Sequence, residues 1–210
     1  MGKTFFWDVD TQYDFIKPDG KLYVPGAEET IPNLAQLTLF ARYHGIRVLG
    51  TIDWHQVTDP EISSGPDFKK TFPEHCIQGS GGSRKIPETE PENPLWIEPE
   101  RYLWKELERN IRTHPGEIFF RKHALDVFSN ENIPSALEIL EPTDMVVYGM
   151  ALEFCVAYSI EGFLKESKFN VILVEDATRA ISDEHRDELI HRWRSRGVRI
   201  AKTADILREL

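Results

Sequence analysis

The strongest constraint on this chain's fold is an alternation of two patterns. Six short apolar runs, at residues 4–7, 46–52, 116–122, 145–148, 170–175 and 197–201, are rich in β-branched and aromatic side chains. Between them lie stretches whose apolar residues recur at helical spacing, at 30–41, 99–111, 135–140, 152–166 and 183–195, with a last one at 204–210. Period-2 or fully apolar runs read as strands, and 3.6-residue spacing reads as helix. Strand and helix in turn predict an α/β fold: a single three-layer α/β/α domain over residues 1–210, with a mostly parallel, Rossmann-like sheet of about six strands. In such sheets, sites form at the carboxyl ends of the strands.

Composition narrows the partners. With 40% hydrophobic and 11% aromatic residues, the 210-residue chain can fill a sizeable core. Its formal net charge of −10 argues against nucleic acid or an anionic membrane as partner. No apolar run is long enough to span a bilayer, and Met1-Gly-Lys3 leads into a strand with no signal-peptide core. Two cysteines, Cys76 and Cys155, make no disulfide framework, so the expected compartment is a reducing cytoplasm.

The strand ends carry Asp10, Asp53 with His55, Lys122, Cys155 and Asp176. Cys155 opens a helix that follows a strand and a glycine, where the helix's partial positive end favours a thiolate. Taken alone, it reads better as a small core residue. Asp10 and Lys122 on other strand ends change that balance: the lysine would favour the thiolate and the carboxylate would shuttle a proton. Asp8 and Asp10 stand at the period-2 spacing of one strand face.

Asp53-x-His55 on an extended segment points both side chains one way, and His75 follows in Phe72-Pro-Glu-His75-Cys76. One carboxylate and two imidazoles suit one divalent ion, Zn²⁺ first, with Fe²⁺ or Mn²⁺ as alternatives, and leave coordination positions open. His44, His114, His123, His185 and His191 lack matched spacing and read as surface or packing residues. The stretch of residues 53–98 loses periodicity and gains prolines, as a functional loop insertion does. Cys76 reads as structural, Asp14 as fixing the loop behind the site, Asp176 as a turn or capping residue, and Asp8 as supporting or solvated.

These residues carry a resemblance. The pieces Asp10-Thr-Gln12-Tyr-Asp14-Phe15, Thr51-Ile-Asp53-Trp54-His55, Phe72-Pro-Glu-His75-Cys76-Ile-Gln78-Gly79 and Lys122 to Ser129 are similar to motifs of the isochorismatase-like cysteine hydrolases. Gly149-Met-Ala-Leu-Glu-Phe-Cys155-Val156 and Val174-Glu-Asp176-Ala177 extend the match nearly end to end, and within the superfamily the chain most resembles the nicotinamidases (pyrazinamidases).

The resemblance implies a metal-dependent amidohydrolase that converts nicotinamide to nicotinate and ammonia in NAD salvage, through a thioester on Cys155. It implies a triad of Cys155, Asp10 and Lys122, and an oxyanion hole from the backbone N–H groups of Ala151 and Cys155 beside a cis Met150–Ala151 bond. A metal on Asp53, His55 and His75 is implied too, with substrate contacts from Phe15, Phe72, Met150 and Ala151, and a homo-oligomer, dimer or tetramer. Three departures touch the pocket wall: Pro18-Asp-Gly20 replaces a Gly-Gly, Ile52 stands where arginine is usual, and the segment after Lys122 is shortened. The same triad would serve another carboxamide or a carbamoyl or ureido substrate. A remoter alternative is a phosphatase of the haloacid dehalogenase type, using Asp8 and Asp10 with Mg²⁺.

Overall fold

Neighbouring residues of a strand point to opposite faces, and β1 (Thr4–Val9) thereby feeds two cores. Phe5, Trp7 and Val9 pack on one side, and Phe6 on the other. The computed structural model describes residues 3–166 and 168–210. After β1 come a short helix α1 (Tyr13–Ile16), α2 (Ile31–Tyr43), β2 (Arg47–Asp53), β3 (Leu95–Ile97) and α3 (Trp104–Thr113). The chain continues through β4 (Ile118–Lys122), α4 (Ile133–Leu140), β5 (Asp144–Gly149), α5 (Ala157–Glu166), β6 (Asn170–Thr178), α6 (Asp183–Ser195), β7 (Arg199–Ala201) and α7 (Thr203–Glu209).

The seven strands form one sheet in the order β3-β4-β2-β1-β5-β6-β7, every pair parallel. Leu107 and Ile111 of α3, Ile133 to Leu140 of α4, Ile160 and Phe163 of α5 and Trp193 of α6 fill one core. Leu34, Leu37 and Ala41 of α2 and Ile206 of α7 fill the other. The three layers expected are therefore present. β1 is central, flanked by β2 and β5, so the chain after β1 turns to opposite sides of the sheet. That is the switch point at which open α/β sheets place their crevice.

The differences from expectation are local. The sheet has seven strands where about six were expected, because β3 is three residues between Pro94 and Pro99, too short to show a period. α3 begins at Trp104 and not near Pro99, since the Tyr102 N–H is taken by the Asn132 side chain at 2.8 Å. The helix expected over 152–166 is broken: Leu152–Val156 makes a wide turn with non-helical Phe154 (φ −116°, ψ −107°), and regular helix starts at Ala157. β6 runs on to Thr178, so Asp176 lies within it; its carboxylate accepts from the N–H and hydroxyl of Thr203, both at 2.8 Å, and caps α7. Met1 and Gly2 lie outside the described residues.

Gly149 closes β5 at φ +124°, and a Cβ there would meet the Val9 carbonyl. Only glycine combines that backbone with so close a neighbour. The Met150 N–H bonds that same carbonyl at 2.9 Å, so the chain leading to Cys155 is tied to the end of β1.

Candidate active site

Asp10, Asp53, Lys122 and Cys155 come from the ends of four adjacent strands, β1, β2, β4 and β5. Asp10 follows β1 at φ +45°, which ends the strand and turns its side chain away from that of Asp8. The period-2 pairing of the two aspartates therefore fails. Asp8 is buried against Lys85 at 3.0 Å and accepts from Thr11 at 3.0 Å, so it is neither solvated nor in the cavity. Asp10 instead accepts from the Thr51 hydroxyl at 2.8 Å and pairs with Lys122 Nζ at 3.0 Å.

Lys122 is the hub. Besides Asp10, its ammonium group pairs closely with Asp53, donates to the Ala124 carbonyl at 3.1 Å and reaches Cys155 Sγ at 3.4 Å. Burial alone disfavours its charge, but Asp10 and Asp53 hold its pKa well above the ordinary lysine value. Burial likewise would raise the Asp53 carboxyl, yet Lys122 holds it well below the usual range.

Cys155 is 4% exposed, on the floor of a cavity. Burial pushes its thiol up, Lys122 pulls it down by less, and Asp10 and Asp53 add to the upward push. The stabilisation of a thiolate expected from Lys122 is thus opposed by burial, which pushes the Cys155 thiol up. Ser159 fixes the turn from below, donating to the Cys155 carbonyl at 2.9 Å while accepting from Trp7 Nε1 at 3.2 Å. The Met150–Ala151 peptide bond is cis. Ala151 lines the cavity, whereas the Met150 side chain is buried in the core beneath it.

Beside the thiol, His75 Nδ1 donates to the Pro73 carbonyl at 2.8 Å and His55 Nδ1 to Asp59 at 3.2 Å. Both Nε2 atoms are thereby left as lone pairs facing Asp53 Oδ2, each at 3.7 Å. Glu61 joins them, and one ligand atom from each of the four residues lies within 4.8 Å of the others. His55 Nε2 and Glu61 Oε1 are buried without a hydrogen-bond partner. Burial and the nearby Asp53 raise the Glu61 carboxyl, a repulsion that a cation would relieve. Two imidazoles and two carboxylates converging on one buried point fit a divalent metal ion.

The loop carrying these ligands is pinned by β1's successor residues. Gln12 donates to the carbonyls of Asp53 at 2.8 Å and Ser83 at 2.9 Å and accepts from the Asp53 N–H at 2.8 Å. Asp14 accepts from the N–H groups of Cys76 at 2.7 Å and Lys21 at 3.0 Å, the loop-fixing part expected of it. Cys76 is fully buried, as a structural residue should be. Phe15 and Phe72 line the cavity with ring centroids 5.5 and 6.1 Å from His75.

The matching isochorismatase domain covers residues 8–205. The chain belongs to the isochorismatase family. It is thus an isochorismatase-family hydrolase on an isochorismatase-like fold. A nicotinamidase from Saccharomyces cerevisiae is 26% identical over 198 residues, 84% of this chain and 88% of that protein. The solved pyrazinamidase of Pyrococcus horikoshii, in complex with zinc, superposes with a TM-score of 0.73 at 22% identity, over 95% of this chain and 99% of that one. An N-carbamoylsarcosine amidase from Thermoplasma acidophilum does so with 0.71 at 24%, over 96% of each. The phosphatase alternative falls with this membership and with the burial of Asp8 against Lys85.

Four site features escaped the sequence. Glu61 and Asp59 sit in the aperiodic loop, where spacing carries no signal. His123 lies 3.3 Å from the same Asp59 carboxylate, and His185, exposed as a surface residue should be, stands at the rim of the cavity.

Proposed function

We propose that this family member hydrolyses a carboxamide attached to an aromatic ring, with nicotinamide, yielding nicotinate and ammonia, as the reference substrate. The observation that carries this is Lys122 Nζ set between Asp10, Asp53 and Cys155 Sγ, beneath a cavity flanked by Phe15 and Phe72. A thiol with an adjacent base at the floor of an apolar cleft suits acyl transfer to sulfur.

In this reading Asp10 takes the thiol proton as Cys155 Sγ bonds to the amide carbon, and the backbone N–H groups of Ala151 and Cys155 hold the oxyanion. Asp10 then gives its proton to the departing ammonia, takes one from water as the thioester is hydrolysed, and returns it to the thiol. Lys122 Nζ, 3.0 Å from the Asp10 carboxyl, holds that group in place through the transfers. Asp53, His55 and His75, with Glu61 beside them, would hold a divalent ion, Zn²⁺ first, whose chemistry there is to orient a ring nitrogen, with Lewis-acid polarisation secondary. Phe15 and Phe72 would flank the ring.

A carbamoyl or ureido amide could use the same triad, as the likeness to a carbamoylsarcosine amidase suggests, but two aromatic walls favour a flat ring. The same reading takes residues 1–210 as one domain with residues 53–98 as its metal-site insertion, in a cytoplasmic homo-oligomer working in NAD salvage.

The test is ammonia release from nicotinamide by metal-analysed protein. Cys155→Ala should abolish release while nicotinamide still binds; turnover like the wild type's in that variant would sink the proposal.

A further inference from the structure

The cavity above Cys155 is larger than one ring requires. Its volume, which includes the space between Asp53, Glu61 and His75, is about 390 Å³, whereas an apolar cavity of about 150 Å³ suffices for benzene. Phe15, Phe72 and Cys155 close its buried end. An apolar wall of Leu22, Val24, Phe68 and Ile181 leads from there to the surface, where Phe68 is 59% and Ile181 55% exposed.

Isolated exposed apolar residues are commonplace, but these two are held in place. Phe68 sits at φ +55°, a left-handed conformation rare for an aromatic residue. Asp67 keeps it there: one carboxylate oxygen accepts from the N–H groups of Lys69, Lys70 and Thr71 at 2.9, 2.8 and 2.9 Å. The Phe68 ring then stands edge-to-face on Phe72, centroids 6.4 Å apart. Ile181 is fixed from the opposite direction in sequence. The Glu153 carboxylate, two residues before Cys155, accepts from the N–H groups of Ile181 at 2.8 Å and Ser182 at 2.8 Å. Strain and charge-assisted hydrogen bonds spent on exposed side chains point to something those side chains touch.

We infer that the substrate is an aryl carboxamide carrying an apolar extension, a fused or attached ring or a short hydrocarbon, which lies against Phe68 and Ile181 while the amide sits over Cys155. This rests on the proposed function and specifies its substrate class. The extension is uncharged: three acidic residues, Asp53, Glu61 and Glu153, line the cavity and no lysine or arginine does, the basic side chains there being the imidazoles of His75 and His185.

The test measures kcat/KM of metal-loaded enzyme for nicotinamide, quinoline-3-carboxamide, 5-phenylnicotinamide and 5-carboxynicotinamide, and the Kd of each for Cys155→Ala by calorimetry. Both extended apolar amides should be preferred over nicotinamide by about tenfold or more, the gain from burying two methylene-sized groups. The carboxylated amide should be the poorest. Changing both rim residues (Phe68→Ser with Ile181→Ser) should bring the ratio of extended amide to nicotinamide close to one, and Phe68→Tyr should keep it. Nicotinamide binding and reacting as well as the extended amides, or a preference that survives the double variant, would overturn the inference. Failure of every amide to release ammonia, with the binding order intact, would instead remove the proposed reaction and leave the extended ligand class standing.

Discussion

Lys122 is an ammonium group with no exposed surface, held by two carboxylates and a carbonyl, and it sets the chemistry of its neighbours. Its pull on Cys155 is smaller than the upward push of burial. The sign matters for reactivity. A thiol whose pKa is raised stays protonated through neutral pH, and its thiolate fraction grows as pH rises toward that value. The rate of Cys155 alkylation by iodoacetamide in metal-free protein should therefore keep climbing beyond about pH 8.5 with no plateau near neutrality. Cys76, fully buried and also pushed up, should stay unmodified. A plateau below pH 7 would mean that a resting thiolate exists and that Asp10 is not needed to receive its proton.

Among the elements, the aperiodic stretch between β2 and α3 does most to assemble the site, because it brings His55, Glu61 and His75 to the end of β2. Gln12 holds it with three hydrogen bonds through one buried amide. Gln12→Ala would strand the Asp53 N–H and two carbonyls, so it should cost about 1–3 kcal/mol in urea unfolding. It should also weaken zinc binding measured by chelator competition; unchanged zinc affinity would show the loop to be set by other contacts.

The strands that bear Asp10, Asp53, Lys122 and Cys155 are legible in the sequence because each is a short apolar run, three of them ending in charge and the fourth broken by Gly149. β3 was not, since three residues between prolines show no period. Asp53, His55 and His75 were legible as a group by residue type, but Glu61 and Asp59 were not, since only tertiary folding of the loop brings them to the histidines. The broken helix at Phe154 was hidden because its apolar spacing continues through the break. The thiol's raised pKa follows from burial in three dimensions, which no strand-end pattern conveys.

Across the whole molecule, a parallel sheet with β1 at its centre gathers Asp10, Asp53, Lys122 and Cys155 at the carboxyl ends of four adjacent strands. Among the described residues no helix is long and apolar enough to cross a membrane. A metal bound only by the folded state adds stability to all of it. At a hundredfold excess over Kd the gain is about 2.7 kcal/mol, which for a domain of this size shifts Tm by about 5–10 °C. Chelation should lower Tm by that amount and zinc restore it, and His75→Ala should show neither change. Equal melting with and without zinc in the wild type would argue that the cluster holds no ion.

In the proposed reaction Cys155 carries the acyl group between amide and acid. Rapid acid quench of metal-loaded enzyme during nicotinamide turnover, followed by peptide mass spectrometry, reads this most directly. The expected result is one nicotinoyl group on the peptide containing Cys155, lost on standing in water and absent in Cys155→Ala. Steady ammonia release with no adduct at Cys155, or with the adduct on another residue, would contradict it.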